Sequence, residues 1–229
     1  MASSSQAIMI DVSHTIEHGM ITYRGLPAPI ICDYLSREES KSHYDNKAEF
    51  HIGKIEMVAN TGTYLDSPFH RYADGKDLSA LSLESIASVD GILITIKHSR
   101  RAIEKKDFEG FDVTNKAVLI QTGWSKHWRT DQYFEQHPFL TREGAQYLAD
   151  QKVRIVGIDS LNIDDTTDAE RPAHSILLKN DIPIVEHMTN LGQVSDHLHQ
   201  SDKTSFKFFA VPAKVKDFGT WPVRAFVSL

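Results

Sequence analysis

Short apolar runs separated by a helical pattern dominate the middle of the chain and constrain its fold most strongly. Residues 91–96, 117–121 and 153–158 each have the length and apolar character of a buried strand. Residues 141–149 lie between the last two runs and have helical apolar spacing, with Thr141 as the N-cap. Because strand, helix and strand in succession favour parallel pairing, the sequence predicts an α/β fold with a parallel or mixed sheet.

Length and composition predict one domain spanning residues 1–229. Apolar residues make up 41% of the chain and charged residues 24%, close to the average of soluble globular proteins, and no stretch has the composition of a linker. The net charge of −6 argues against a nucleic-acid partner, which needs a concentrated basic face. No apolar run approaches the roughly 18 residues of a membrane helix, so no membrane partner is expected. Residues 1–6 lack the features of a signal peptide and are predicted to be a flexible leader.

The single cysteine, Cys32, excludes an internal disulfide. A chain without disulfides is typical of the cytoplasm, which is the location we expect. Ile30 and Ile31 precede Cys32 and no adjacent base could activate it, so the sequence predicts a buried, structural thiol.

Residues 60–70 combine a carboxylate, an imidazole, a glycine and a proline within eleven positions. Asp66 and His70 lie four apart, and Pro68 between them disfavours a regular helix. Their side chains can therefore reach one pocket only through a specific turn. The alternative is structural, with Asp66 capping a turn and His70 hydrogen-bonded inside the fold.

The same stretch resembles the signature His-x-Gly-Thr-His-x-Asp-x-Pro-x-His of the metal-dependent cyclase/hydrolase family, which includes bacterial kynurenine formamidase and isatin hydrolase. Asn60 and Tyr64 stand where that family has histidines. The positions that match are Gly62, Thr63, Asp66, Pro68 and His70. Four other segments resemble the family in the same order along the chain: the loop with Tyr23, Thr122-Gly123-Trp124, Gly157-x-Asp159-Ser160, and the pair His174 and Glu186.

The resemblance implies a swivelling β/β/α-type domain with a mixed sheet, which forms a homodimer or homotetramer. It also implies a divalent metal ion, zinc or manganese. An oxygen-rich ligand set that also includes the Asn60 amide would favour manganese or magnesium over zinc. The implied roles are metal binding by Asp66, His174 and Glu186, acid/base catalysis by His70, and substrate binding by Tyr23, Asn60 and Tyr64. Trp124 and Trp128 could line the pocket wall or pack in the core.

The implied activity is hydrolysis of a small amide, lactam or lactone, as in an arylformamidase, by water that the metal activates. Two other functions stay open. The first is a small-molecule-binding protein on the same scaffold, in which Asn60 and Tyr64 hydrogen-bond a ligand where the family holds metal. The second is metal-free chemistry with Tyr64 and His70 as acid and base, although the sequence shows no carboxylate placed to orient His70.

Overall fold

The computed structural model describes residues 7–97 and 100–229, so the predicted leader, residues 1–6, lies outside the described residues. Thirteen strands occur in the described part of the chain. They are β1 (Met9–Asp11), β2 (Ile30–Leu35), β3 (Ile52–Glu56), β4 (Tyr64–Asp66), β5 (Val89–Thr95), β6 (Ala102–Ile103), β7 (Ala117–Gln121), β8 (Phe139–Leu140), β9 (Ile155–Ile158), β10 (Ile184–Glu186), β11 (Phe206–Phe209), β12 (Thr220–Pro222) and β13 (Phe226–Ser228).

Five α-helices connect and cover these strands: α1 (Arg37–Ser40), α2 (Leu83–Ile86), α3 (Arg142–Asp150), α4 (Pro172–Lys179) and α5 (Leu191–Ser201). Short 3-10 helices occur at Lys41–Tyr44, Pro68–His70, Lys105–Asp107, Trp124–His127 and Asp131–Phe134. Thr141 caps α3 as predicted, because its side chain accepts a hydrogen bond from the Gly144 amide.

The main sheet has nine strands in the order β1-β13-β11-β5-β7-β9-β10-β4-β12. Its centre, β5-β7-β9-β10, is parallel, and the strands on both sides of that centre pair antiparallel. The sheet is therefore mixed, and the predicted α/β fold class is confirmed.

Both faces of the sheet are buried, which explains the continuous apolar runs in its central strands. Alternate side chains of β7 point to opposite faces. Val118 and Ile120 belong to the cluster that includes Leu177 of α4, whereas Leu119 belongs to the cluster that includes Val194 of α5. Helices therefore pack against both faces of the central strands.

Strands β2 and β3 form a separate antiparallel ribbon, here called the arm (residues 30–35 and 52–56). Every residue of the arm is exposed except Leu35, which is half-buried. The prediction of a buried Cys32 is therefore wrong. The apolar neighbours on which that prediction rested are themselves exposed, because the ribbon is not part of the main sheet.

None of the helices in residues 7–97 and 100–229 combines the length and the apolar character needed to cross a membrane.

Candidate metal centre

Strand β4 brings four side chains of the site together because it pairs with both β10 and β12. In this register Tyr64 lies opposite Glu186, and Asp66 lies opposite Thr220. Directly opposed residues share a face of the sheet, as do residues two apart on one strand. Tyr64, Asp66, Glu186 and Thr220 therefore face the same side.

The 3-10 helix Pro68–His70 turns the chain back after β4 and returns His70 to Asp66. The His70 Nδ1 atom lies 3.5 Å from the Asp66 Oδ1 atom. The Thr220 hydroxyl donates a hydrogen bond to the same carboxylate oxygen and lies 2.8 Å from His70 Nδ1. The specific turn that the Asp-Pro-His spacing required is present, and Asp66 with Thr220 orients His70, which the sequence did not indicate.

His174 reaches the same place from the first turn of α4, where Asp164 holds it. Asp164 Oδ1 accepts a hydrogen bond from the Ala173 amide at 2.6 Å. Asp164 Oδ2 accepts one from the His174 amide at 3.0 Å and lies 2.6 Å from His174 Nδ1. The other ring nitrogen, Nε2, is thereby directed at Asp66 Oδ2, 3.5 Å away, and at Glu186 Oε1, 3.7 Å away.

These groups fit a divalent metal ion. One ligand atom from each of Asp66, His70 and His174 lies within 4.8 Å of the other two. Asp66 Oδ2 is buried and has no hydrogen-bond partner among the described residues. A buried carboxylate oxygen without a donor is costly, and a bound cation would remove that cost. Carboxylate and imidazole ligands suit zinc or manganese.

Glu186 adjoins this cluster, and donors occupy both of its oxygens. Oε1 accepts a hydrogen bond from the Ile163 amide at 2.6 Å. Oε2 accepts one from the Tyr64 hydroxyl at 2.7 Å and one from Asn162 Nδ2 at 3.3 Å. Burial and the negative charges of Glu186 and Asp66 raise the pKa of Tyr64 well above its usual value. Tyr64 is therefore a neutral phenol that donates to Glu186.

The buried ionisable groups of the centre shift one another's pKa values. Burial would lower the pKa of His174, but Glu186, Asp164 and Asp66 raise it to about 10. Burial raises the pKa of Glu186 to about 7, with the charge of His174 opposing and that of Asp66 adding to the rise. Burial also opposes ionisation of Asp66, but the nearby charges of His174 and His70 and the hydrogen bond from Thr220 lower its pKa overall. Without a metal, the His174 imidazolium is the counter-ion of the two carboxylates.

A cavity of about 520 Å³ opens above this centre. It brings together all seven residues that the sequence assigned to metal binding, catalysis or substrate binding: Tyr23, Asn60, Tyr64, Asp66, His70, His174 and Glu186. Their individual roles stay predictions. Tyr23 comes from the loop before the arm, and Asn60 follows the arm. The segments that flank the arm in sequence therefore both contribute to the cavity.

The two tryptophans do not line this cavity. Trp128 stacks on the His14 ring with centroids 4.0 Å apart, and Trp124 Nε1 donates to the Tyr133 carbonyl at 3.0 Å. The packing alternative therefore describes them better than a pocket wall. Asp159 also lies outside the cavity, and it accepts hydrogen bonds from the Thr122 and Gly123 amides.

Sequence reasoning missed four residues that hold or border the centre: Thr220, Asn162, Asp164 and Arg171. Asn162 and Asp164 belong to a polar segment after β9, and ten residues separate Asp164 from His174 along the chain. Thr220 gave no local signal, because it reaches Asp66 across 154 residues through strand pairing.

The mixed sheet and the buried carboxylate–imidazole cluster define an α/β protein with a candidate divalent-metal centre at the cavity floor. Residues 10–165 match the model of the family Cyclase, described as "Putative cyclase". The chain belongs to this family, which confirms the resemblance inferred from its motifs.

Named relatives agree with this membership. Kynurenine formamidase of Bacillus cereus is 30% identical over 220 residues, which cover 95% of this chain and 96% of the relative. The solved structure of isatin hydrolase A from Labrenzia aggregata has a TM-score of 0.79 at 17% identity, over 97% of this chain and 94% of that one. A structure described as a potential metal-dependent hydrolase with cyclase activity has a TM-score of 0.75 at 23% identity, over 97% and 98% of the two chains.

Proposed function

We propose that this protein is a metal-dependent hydrolase that cleaves a small amide, lactam or lactone. The observation that carries the proposal is the cluster of Asp66, His70 and His174, with a buried and unpartnered carboxylate oxygen at the floor of a cavity. The similarity to kynurenine formamidase over nearly the whole chain supports amide cleavage.

A divalent cation, zinc or manganese, would be held by Asp66, His174 and Glu186, and when bound it polarises a carbonyl and acidifies water. His70 is the acid/base: it takes a proton from the attacking water and gives one to the leaving nitrogen or oxygen. Its side chain is about one-third exposed at the cavity, which permits proton exchange with solvent, and Thr220 with Asp66 fixes its ring. Tyr23 and Asn60 lie on the cavity wall, where they contact the substrate.

Tyr64 supports hydrolysis over simple ligand binding. A protein that only binds ligands would use the Tyr64 hydroxyl to hydrogen-bond the ligand. That hydroxyl is instead buried and donates to Glu186. Tyr64 therefore lines the cavity and serves chiefly to hold a carboxylate in place.

The test is metal-dependent turnover. Protein saturated with Mn²⁺ or Zn²⁺ is analysed for bound metal and assayed with formanilide and with a small lactone, before and after chelation. We expect bound metal and an activity that chelation abolishes and metal restores. Absence of bound metal after saturation, together with turnover that is indifferent to a chelator, contradicts the proposal.

A His70→Gln variant separates acid/base catalysis from metal binding by His70. As an acid/base, the histidine contributes about 10²–10⁴-fold to kcat, and its loss leaves the metal affinity unchanged. A parallel loss of metal affinity would make His70 a ligand, as its distance from Asp66 and His174 also permits. His197→Gln on α5, outside the cavity, is the matched control.

We also propose that the protein is a homodimer or homotetramer and works in the cytoplasm. The arm exposes apolar side chains on a two-stranded ribbon whose flanking segments line the cavity, which favours coverage by a second copy of the chain. The single cysteine is exposed, which suits a reducing compartment.

A further inference from the structure

Two arginines of the cavity wall, Arg71 and Arg171, carry positive charge that no aspartate or glutamate among the described residues neutralises through a salt bridge. The third arginine of the cavity, Arg24, is different. It pairs with Asp131 at 3.0 Å and with Glu135 at 3.7 Å, and its guanidinium lies over the Phe134 ring. Arg71 and Arg171 therefore give one part of the cavity a positive charge.

Neutral acceptors hold both guanidinium groups in place. Arg171 Nη1 donates to Asn162 Oδ1 at 2.9 Å, and Asn162 in turn donates to Glu186 at 3.3 Å. Arg71 Nη2 donates to the Glu170 carbonyl at 3.0 Å, so its head group reaches the residue next to Arg171. These bonds fix the positions of the side chains and leave their charges available.

The geometry of Arg171 suits a carboxylate. A guanidinium has a planar fork of donors that matches the two oxygens of a carboxylate. Arg171 is half-buried at the cavity, one of its Nη atoms donates to Asn162, and no described residue accepts a hydrogen bond from its other guanidinium donors. Two carboxylates of the chain line the cavity, Asp66 and Glu186. They accept hydrogen bonds from Thr220, Tyr64 and the Ile163 amide, and neither pairs with Arg171.

We propose that the substrate carries a carboxylate away from the scissile bond, and that Arg171, assisted by Arg71, binds it. This inference rests on the proposed hydrolase function for the identity of the scissile bond, but the anion site itself does not. The metal centre at the floor and the arginines on the wall then orient a substrate from two ends within a cavity of about 520 Å³.

The kinetic test compares formanilide with its ortho-, meta- and para-carboxy derivatives on the metal-saturated protein. At least one carboxylated isomer is expected to exceed formanilide in kcat/KM by about tenfold or more, mainly through KM, as a charge-assisted hydrogen-bonded pair permits. Arg171→Gln lowers the ratio of kcat/KM between the preferred carboxylated isomer and formanilide to about one, since binding of the anion is lost. Arg71→Gln, at an exposed position, weakens the preference partly.

Arg154→Gln is the matched control, because Arg154 is exposed, forms no salt bridge with a described residue and lies outside this cavity. It keeps the full preference. A preference that survives both Arg171→Gln and Arg71→Gln, or a wild-type protein that treats all four compounds alike, overturns the proposal.

A binding test distinguishes failure of this inference from failure of the hydrolase proposal. Calorimetry on the metal-saturated protein compares benzoate with benzamide, which has the same shape without the charge. If no formanilide is cleaved but benzoate binds better than benzamide, and only Arg171→Gln and Arg71→Gln remove the difference, the anion site stands while the hydrolase proposal fails. If benzoate has no advantage, or Arg154→Gln removes it equally, the anion site is refuted.

Discussion

His174 is oriented before any ligand binds it. Asp164 accepts hydrogen bonds from the His174 amide and contacts its Nδ1, which fixes both the ring plane and the tautomer that leaves Nε2 free for a metal. The same carboxylate accepts the Ala173 amide and so satisfies two backbone donors at the start of α4. One residue thus links the helix terminus to the metal centre.

Replacing Asp164 with asparagine should weaken metal binding by about 10–100-fold, the usual effect of losing a carboxylate behind a histidine ligand. The amide keeps the shape but has one acceptor oxygen and no charge, so it cannot hold both amides and the ring as before. Competition with a chromophoric chelator measures the metal affinity. Asp196→Asn, exposed on α5, is the control. Equal affinities in the two variants would show that Asp164 does not position His174.

The sequence contained the residues of the centre but not the contacts among them. Asp66, His70, His174 and Glu186 could be found because they occupy motif positions at fixed spacings. Thr220 could not, since its contact with Asp66 exists only after β12 pairs with β4. The hydrogen bond from Tyr64 to Glu186 could not be predicted either, because it depends on the register between β4 and β10.

At the scale of elements, the close approach of β12 to the 3-10 helix Pro68–His70 depends on Gly219. A Cβ atom there would lie 2.6 Å from the backbone N and Cα of His70, far inside contact distance. The Gly219 carbonyl also accepts hydrogen bonds from the amide and hydroxyl of Ser67. Glycine at this position therefore lets the helix sit against β12 and sets the distance between Thr220 and His70.

Gly219→Ala should push these two elements apart. A shift of about 1 Å in a catalytic group can cost roughly 10²-fold in rate, and we expect a loss in kcat of that order. Gly192→Ala is the control, because a Cβ atom in α5 meets only the Gln121 side chain at 3.7 Å. Steady-state kinetics and thermal unfolding of both variants check this. Full activity in Gly219→Ala would mean that the loop adapts without moving His70.

Helices and strands could be predicted where local residue preferences and burial agree, as at the Thr141 cap of α3 and in the central strands. The sequence did not indicate β4, because its surroundings of Asn, Gly, Thr and Pro are typical of a turn. Pairing on both sides by β10 and β12 makes it a buried strand, so tertiary context overrides the local preference. The exposure of the arm is the opposite case, since its apolar sequence favoured burial.

The stability of the whole molecule should fall in mild acid because of two histidines, the half-buried His14 and the buried His187. Burial lowers the pKa of His14 to about 4, and burial with the charge of His14 lowers that of His187 to about 3. The unfolded chain binds protons at these residues below a pKa of about 6.5, whereas the folded chain does not. Their contribution is therefore complete above pH ~6.5 and is lost as the pH falls toward the folded pKa values.

Each such histidine lowers the free energy of unfolding by up to about 1.4 kcal/mol per pH unit within that window. His14→Phe keeps a ring against Trp128 but cannot be protonated, so its urea midpoint should depend less on pH between 7.5 and 5 than that of the wild type. His197→Gln on α5 is the control variant and should keep the wild-type slope. An unchanged slope in His14→Phe would place the acid sensitivity elsewhere.

The assembly of the molecule can be tested through the arm. Ile31 and Ile55 are opposed across its two strands and are 37% and 57% exposed, so they form an apolar pair on one face of a ribbon that is marginal alone in water. The double variant Ile31→Ser/Ile55→Ser should dissociate a homo-oligomer into folded monomers, because the lost contacts lie between copies and not within the core. Sedimentation velocity gives the mass, and circular dichroism checks the fold.

Leu83→Ser, at a position 63% exposed on α2 outside the arm, should keep the wild-type mass. A monomeric wild type, or a double variant with unchanged mass, would show that the arm does not hold copies together. Because the segments with Tyr23 and Asn60 flank the arm, dissociation should also raise KM for formanilide in an active enzyme.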